Sequence, residues 1–466
     1  MADGQVIRGR WWCSGSAAVA HGYLDLDTEF RLHTDDCLNP VNPEPGVPYS
    51  PQFERHDAVH GRSHDGIDVT LLGVSGLSLR FPAPYSSVHE VWRPSAAVVG
   101  SLVEAQEGFF GVRVDLSGLV EWARPRPLVD PIGPLGDSFA VGRSTQRMVE
   151  VDIEGSHLSL VASAEGRAGE RRADVSRTVH FEVEFQDPLQ WEAVLARWVW
   201  PLRQMLSCLL VRKVVAKKVL VQVEEEFRGR DWPELRFARA EHDEGLTRSF
   251  WEEEVLFTLP ASPVPFGDFL TQWFGQWDEL RPLVLPLVSV EDADFLYAEH
   301  VYLLRLAAAE SAQRLLGTPG SEMTPEAHAA RVKAIIDAAV GAGVSGEDTG
   351  WAAGVLQSRN DKPLRARPQE MVDATGEVGA RIVEGRSTLV RDAQSFRTPI
   401  AHASTNRGEQ DHISRWRVGE ALAWMARVVL LTQTGVPKEQ AEQCVLRHER
   451  FNDLVDHLGD RPDEDG

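Results

Sequence analysis

The sequence predicts an α+β protein: a β-rich antiparallel N-terminal region, a sandwich or an open barrel, followed by an all-α helical bundle. Three observations carry this. Apolar and polar residues alternate at period two in short runs through the first 185 residues, as in strands with one buried face. Beyond about residue 290 the apolar spacing becomes helical. The chain has 466 residues, 43% of them hydrophobic, enough for more than one core, since a single core stops growing near about 250 to 300 residues.

Taken in order, Leu24 and Leu26 alternate with Asp25 and Asp27, and Ile67, Val69 and Leu71 follow the turn-like His64, Asp65 and Gly66. Phe110, Val112, Val114 and Leu116 repeat at period two, as do Val149, Val151 and Ile153. Val179, Phe181, Val183 and Phe185 do so with His180, Glu182 and Glu184 between them. Proline-rich loops such as Asn39 to Gly46 separate the strands. From Leu189 to Val211 the period turns helical, with Trp191, Leu195, Trp198, Leu202 and Leu206 on one face. Val219, Val221 and Val223 alternate again, and Pro260 to Pro265 reads as a linker or turn. Helices are expected at 295–316, 326–341, 351–359, 368–396, 411–433 and 438–458. The domain division is 1–188, a mixed segment and linker at 189–290, a helical domain at 291–460, and an acidic tail at 461–466.

Composition narrows the function. The opening Met1 to Gln5 carries no signal-peptide pattern and no long apolar run follows, so a cytoplasmic protein with no membrane partner is expected. Cys13, Cys37, Cys208 and Cys444 lie far apart without metal-ligand spacing; free thiols, no metal and no cofactor are expected. A net charge of −22 argues against coating by nucleic acid over the whole surface. Locally the balance reverses: Arg359 to Arg417 holds 11 basic residues against 8 acidic ones, a surface that can attract phosphate.

Within that basic stretch stand Arg397 and His402, five positions apart. Arginine stays charged at any working pH and grips phosphate bidentately, while histidine gives and takes protons near neutrality. Those are the two tasks of cleaving RNA through its own 2'-hydroxyl. Spacing alone does not select them, because arginine is abundant and roughly four such matches arise by chance. Five occur: Arg55 with His60, Arg236 with His242, Arg397 with His402, Arg407 with His412, and Arg450 with His457. Context favours the third. Val378, Ile382, Leu389, Val390, Ala393 and Phe396 form a helical pattern that ends against Thr398 and Pro399, an N-cap followed by a first helical residue. His402 then falls in a first turn, near the positive end of a helix dipole that favours the neutral, basic imidazole.

Residues 295–460, with the run Leu389 to His402 near the start of the penultimate helix, resemble the HEPN domain, whose hallmark is Arg, four to six residues, then His. Arg10, Trp11 and Trp12, then Val59 to Gly61, Gly66 to Leu71, Val99 and Gly100 leading to Phe110, and Gly118 to Trp122, are similar to the N-terminal domain of ApeA-like abortive-infection proteins. The resemblance implies a bacterial antiphage protein, a β-rich sensor of a phage trigger controlling a helical domain that cuts RNA. By position, Arg397 and His402 become the catalytic pair, and a homodimer or higher homo-oligomer is expected. Many HEPN nucleases carry Asn, Asp or His directly after the arginine, where this chain has Thr398, a hydrogen-bonding but non-ionisable residue. Two alternatives therefore stay open, a catalytically silent HEPN scaffold and a ligand-binding protein. Glu310, in the apolar helix Leu303 to Leu316, is a second supporting candidate, either orienting Arg397 across the bundle or facing solvent. Trp11 with Trp12 as a ligand platform, and His21, His33, His60 and His64 as a metal cluster, are weaker readings than core packing and loop histidines.

Overall fold

A computed structural model describes residues 6–38, 54–80, 89–125, 143–168, 173–224, 232–237, 250–317, 324–357, 366–401 and 410–459. The chain forms two compact units, 1–206 with 214–250, and 207–213 with 251–466, so the segment 189–290 is divided between them.

The first unit is built on β1 (Val6–Cys13), β2 (Ala20–Asp25), β3 (Arg31–Thr34), β4 (Arg55–Ser63), β5 (Asp68–Arg80), β6 (His89–Arg93) and β7 (Ala96–Val99). Six of these strands close into a barrel in the order β4-β1-β2-β3-β6-β5, with β5 returning to β4. Of the expected sandwich or barrel the chain forms the barrel, closed by the β4–β5 pairing. The 13-residue β5 makes it possible: one edge pairs with β4 along Arg62↔Asp68 to Arg55↔Ser75, and the other edge is shared. Its first half pairs with β7 and its second half with β6. The barrel is thus one branch of β5, and β7 leads to the rest of the sheet.

Inside, Ile7, Trp11, Leu24, Leu32, Val59, Leu71 and Trp92 pack together. Trp11 stands opposite Gly61 in the β1–β4 pair. A Cβ on Gly61 would lie 2.3 Å from the Trp11 ring, so glycine there is what lets an indole fill so narrow a barrel. The sheet continues through β13 (Glu234–Phe237), β12 (Ala216–Gln222), β8 (Phe109–Leu116), β11 (Ala173–Leu189), β10 (Ser156–Ala168) and β9 (Arg143–Ile153). Val112, Val114, Phe181 and Val183 point to the core, and Arg113 and Glu182 take the other face, as the alternation required. The helical run after β11 comprises α2 (Trp191–Val194), a π turn at Leu195–Val199 and α3 (Trp200–Leu210); a short α1 (Leu119–Ala123) follows β8. Trp198 stacks on Phe185 with centroids 6.2 Å apart.

The second unit contains eleven helices among the described residues: α4 (Phe266–Gly275), α5 (Trp277–Asp292), α6 (Ala298–Leu315), α7 (Pro325–Gly341), α8 (Gly346–Gln357), α9 (Ala366–Ala374), α10 (Gly376–Gly385), α11 (Leu389–Ala401), α12 (Gln410–Gln433), α13 (Lys438–Leu446) and α14 (Glu449–Leu458). Pro282 and Pro286 inside α5 mask its helical pattern in the sequence. The helix expected over 368–396 is broken at Gly376, whose φ of 54° is left-handed and needs glycine. The one expected over 438–458 is broken at His448, whose Nδ1 accepts the backbone N–H of Arg450 and caps α14. Helices α6 and α12 run side by side in one direction, Glu299 meeting Arg415 near their starts and Leu315 meeting Gln433 near their ends. Val418, Leu422, Trp424, Met425 and Val429 bury α12 at the centre of the unit.

Candidate active site

Helix α11 carries Arg397 and Thr398 in its closing turns. His402 follows Ala401 directly and lies outside the described residues, as does the acidic tail. The expected start of a new helix at Thr398 and Pro399 is overturned, because α11 continues through both to Ala401. Proline removes one hydrogen bond, to the carbonyl of Ser395, and the helix ends two residues later, so little helix is lost beyond it.

The residue before Arg397 shows what surrounds this helix end. Phe396 is buried and meets Tyr302 of α6 edge to face, with centroids 6.1 Å apart. The Tyr302 hydroxyl donates to the carbonyl of Ala393 at 2.5 Å, fixing α11 to α6. Over Phe396, at 5.9 Å from the ring centre, lies the guanidinium of Arg415 from α12. Arg415 donates to Glu299 Oε1 at 3.2 Å, and His412 Nδ1 lies 2.8 Å from the same oxygen. Glu299 sits in the first turn of α6, where the helix dipole favours a carboxylate. One carboxylate thereby orients an arginine and an imidazole at the end of α11, the side-chain types that bind phosphate and move protons.

Sequence reasoning missed Glu299, whose only local mark is its place in a helix's first turn. It selected Glu310 instead. That residue is half-buried eleven positions after Glu299, about 16 Å farther along α6 by helix rise.

Behind this cluster lies a buried lattice of charge. Arg305 of α6 is bonded to Glu420 of α12, both side chains almost wholly enclosed. Arg450 of α14 reaches Glu420 at 3.4 Å and Glu291 at 3.2 Å, and Arg427 reaches Glu291 at 3.1 Å. Burial draws the Arg305 guanidinium below its ordinary pKa despite Glu420 beside it. His448, fully buried beside Trp424, is held down to about 3 by burial and by Arg427 and Arg450. The first of these pairs joins α6 to α12, the helices that present Glu299, His412 and Arg415, and the others tie α12 and α14 to α5. The rival Arg450 thus belongs to structural ion pairing, and of the remaining rivals Arg407 and His242 lie outside the described residues.

The first unit holds a separate feature with no sequence motif. A cavity of about 470 Å³ opens on the outer face of β8, β11 and β12, lined by Arg113, Asp115, His180, Lys218, Leu220 and Trp232 among others. Arg113 lies 4.0 Å over the Trp232 ring and is bonded to Glu182. Burial would raise the Glu182 carboxyl, but hydrogen bonds and charge from His180 and Arg113 bring it to about 2, so it stays ionised and fixes the arginine. A groove with a held guanidinium, a lysine and an indole wall suits a small anionic or amphipathic ligand.

The weaker candidates separate. Trp11 is core, while Trp12 is half-buried with His60 at 6.2 Å. His60 is buried against Thr70, and His33 stacks between Tyr23 and His89, so these histidines do not converge. Among the described residues no group of three or more His, Cys, Asp or Glu is arranged to hold a metal ion. All four cysteines are free, and burial pushes the Cys13 thiol, 3.6 Å from His56, up to about 11. No helix among the described residues is long and apolar enough to cross a membrane. The family described as ApeA N-terminal domain 1 matches residues 6–273. No curated protein and no solved structure gives a match.

Proposed function

The chain belongs to the ApeA N-terminal domain 1 family, and from that premise we propose that it is an antiphage defence protein whose helical unit is a HEPN-like endoribonuclease governed by its β-rich unit. The observation that carries the nuclease reading is the clustering at the end of α11: Arg397 follows Phe396, which packs under an Arg415–Glu299–His412 constellation in an all-helical unit. In this reading the substrate 2'-hydroxyl attacks the adjacent phosphorus while His402 accepts its proton, and Arg397 stabilises the negative charge of the phosphorane. The 5'-oxygen leaves with a proton, giving a 2',3'-cyclic phosphate and a 5'-hydroxyl. One histidine takes a proton and another returns one. A two-fold pair of chains supplies both, so the active unit is a homodimer or an assembly of dimers. Thr398 offers a hydroxyl beside Arg397 in place of an amide or ionisable group. The groove at Arg113 and Trp232 is the place in the β-rich unit suited to a trigger-derived ligand.

The test is induction of the wild type, Arg397→Ala and His402→Ala in a bacterial host, with total RNA inspected for fragments. Wild-type fragments that persist in EDTA and end in 2',3'-cyclic phosphate are expected, and each variant should lose roughly 10²- to 10⁴-fold in rate. Absence of cleavage by the wild type during phage challenge would favour the silent scaffold, the reading that Thr398 supports.

A further inference from the structure

The cavity on the outer face of β8, β11 and β12 is lined by three consecutive residues of β11, Thr178, Val179 and His180. Successive side chains of a strand point to opposite faces, and that of Val179 is fully buried. A cavity that meets all three therefore meets the main chain along one edge of the strand. The pairing explains why that edge is reached. β10 accompanies β11 from Ala173 to Phe185, but β8 joins the other edge only from Phe181 onward, where Phe181 pairs with Val114. Asp115 and Leu116 of β8 continue with β12 alone, Asp115 opposite Lys218. Ser117 then bonds to Val215, and Gly118, with φ 75°, turns the chain into α1. Among the described residues no strand stands beside Thr178–His180 on that edge. The cavity is a notch between two diverging strands, with roughly 10 Å of edge at about 3.3 Å per residue.

A group that fills such a notch has to offer donors and acceptors at strand spacing, which an extended peptide does and a small ligand does not. The side chains around it set the chemistry further. Arg113 donates through Nε to Glu182 and lies over Trp232, so its guanidinium is held in place while its Nη groups have no partner among the described residues. A fork held in this way suits a carboxylate, and the exposed Lys218 stands on the next strand. Glu182 is taken up by Arg113 and His180, and Asp115 faces Lys218, so the notch is close to neutral as a whole. That balance fits a single carboxylate on a peptide better than the run of phosphates on a nucleic acid. Trp232, 9% exposed under Arg113, offers no open ring face to a base. We propose that the notch receives an extended peptide, which adds as a strand to the Thr178–His180 edge and sets an Asp or Glu side chain against Arg113 and Lys218. This rests on the sensing role given to the groove above and names a peptide as the chemistry of its ligand.

The experiment selects from a displayed random octapeptide library on the immobilised full chain, with the Lys218→Glu chain as the counter-selection. Retained peptides are synthesised with a fluorophore and titrated by anisotropy. They should share an Asp or Glu at one position, bind Lys218→Glu at least roughly tenfold more weakly, and regain affinity for that variant when the acid is replaced by Lys. Methylating alternate backbone amides of the peptide separates strand addition from side-chain contact. One alternate set should abolish binding and the other leave it within about threefold, because only every second residue of a strand bonds to a given neighbour. Lys218→Glu should unfold as the wild type does, since the side chain is exposed. A library that yields no peptide preferring the wild type to Lys218→Glu overturns the proposal, as do retained peptides with no common acid. Equal tolerance of both methylated sets overturns it in favour of a small ligand held by side chains. Failure of the sensing reading shows separately, as a peptide that binds in the expected way while Lys218→Glu protects undiminished in a plaque assay.

Discussion

Replacing Glu420 by leucine removes the carboxylate that joins α12 to Arg305 of α6, and the size of the effect follows from enclosure. The Arg305 and Glu420 side chains keep only 5% and 4% of their accessible surface. An exposed pair of this kind contributes about 0 to 1 kcal/mol. Here the variant leaves a guanidinium in the interior with no carboxylate beside it, and breaking such a buried pair costs about 3–5 kcal/mol. Arg450 keeps Glu291 at 3.2 Å, so it adds little to that loss. For a unit of this size, roughly 2–4 °C per kcal/mol gives a fall of about 6–20 °C in the helical transition. The assay is urea and thermal unfolding followed by far-UV circular dichroism on the wild type, Glu420→Leu, Arg305→Met and the double variant. The double variant should recover most of the loss, because an apolar pair of similar volume replaces the charges without burying either alone. A single-variant loss below about 1 kcal/mol, or a double variant no better than either single one, would refute the argument that burial sets the energy of this contact.

Three further outcomes are expected. Gly61→Ala drives a methyl group toward the Trp11 ring and should destabilise the barrel unit by about 1–3 kcal/mol in the same unfolding assay, with Trp11→Leu partly restoring it. His448 has its folded pKa depressed to about 3 from 6.5, so between those values the unfolded chain binds the extra proton. Stability should be complete above about pH 6.5 and fall toward pH 3, at up to about 1.4 kcal/mol per pH unit, and His448→Asn should flatten that dependence in pH-resolved denaturation. Lys218→Glu reverses an exposed charge lining the groove at Arg113 and Trp232; protection in a plaque assay should drop at an unchanged melting temperature, and undiminished protection would remove the groove from the sensing route.

The fold class was legible in the sequence because it is written in local periods. Val112, Val114 and Leu116 announce a half-buried strand from their own neighbours, and Val378, Ile382 and Leu389 announce helix in the same way. Arg397 is a candidate on chemistry alone, because few residues grip phosphate, while the stretches that carry the N-terminal resemblance are spatial neighbours, Trp11 opposite Gly61 and Trp12 opposite His60.

What only the tertiary structure decided are the meetings of residues far apart in the chain. Closure of the barrel depends on β5 pairing with β4 on one edge and dividing the other edge between β6 and β7, which no local alternation encodes. Glu299 stands out as a candidate because His412 and Arg415, the latter 116 positions later, converge on it, while Glu310, equally acidic and equally helical, lies about three turns farther along α6. Arg305 and Glu420, 115 positions apart, read as surface charges until α6 and α12 enclose them. A side chain's period and chemistry belong to its own segment, but its burial and its partners are set by which segments pack together, and that is fixed only when the whole core assembles.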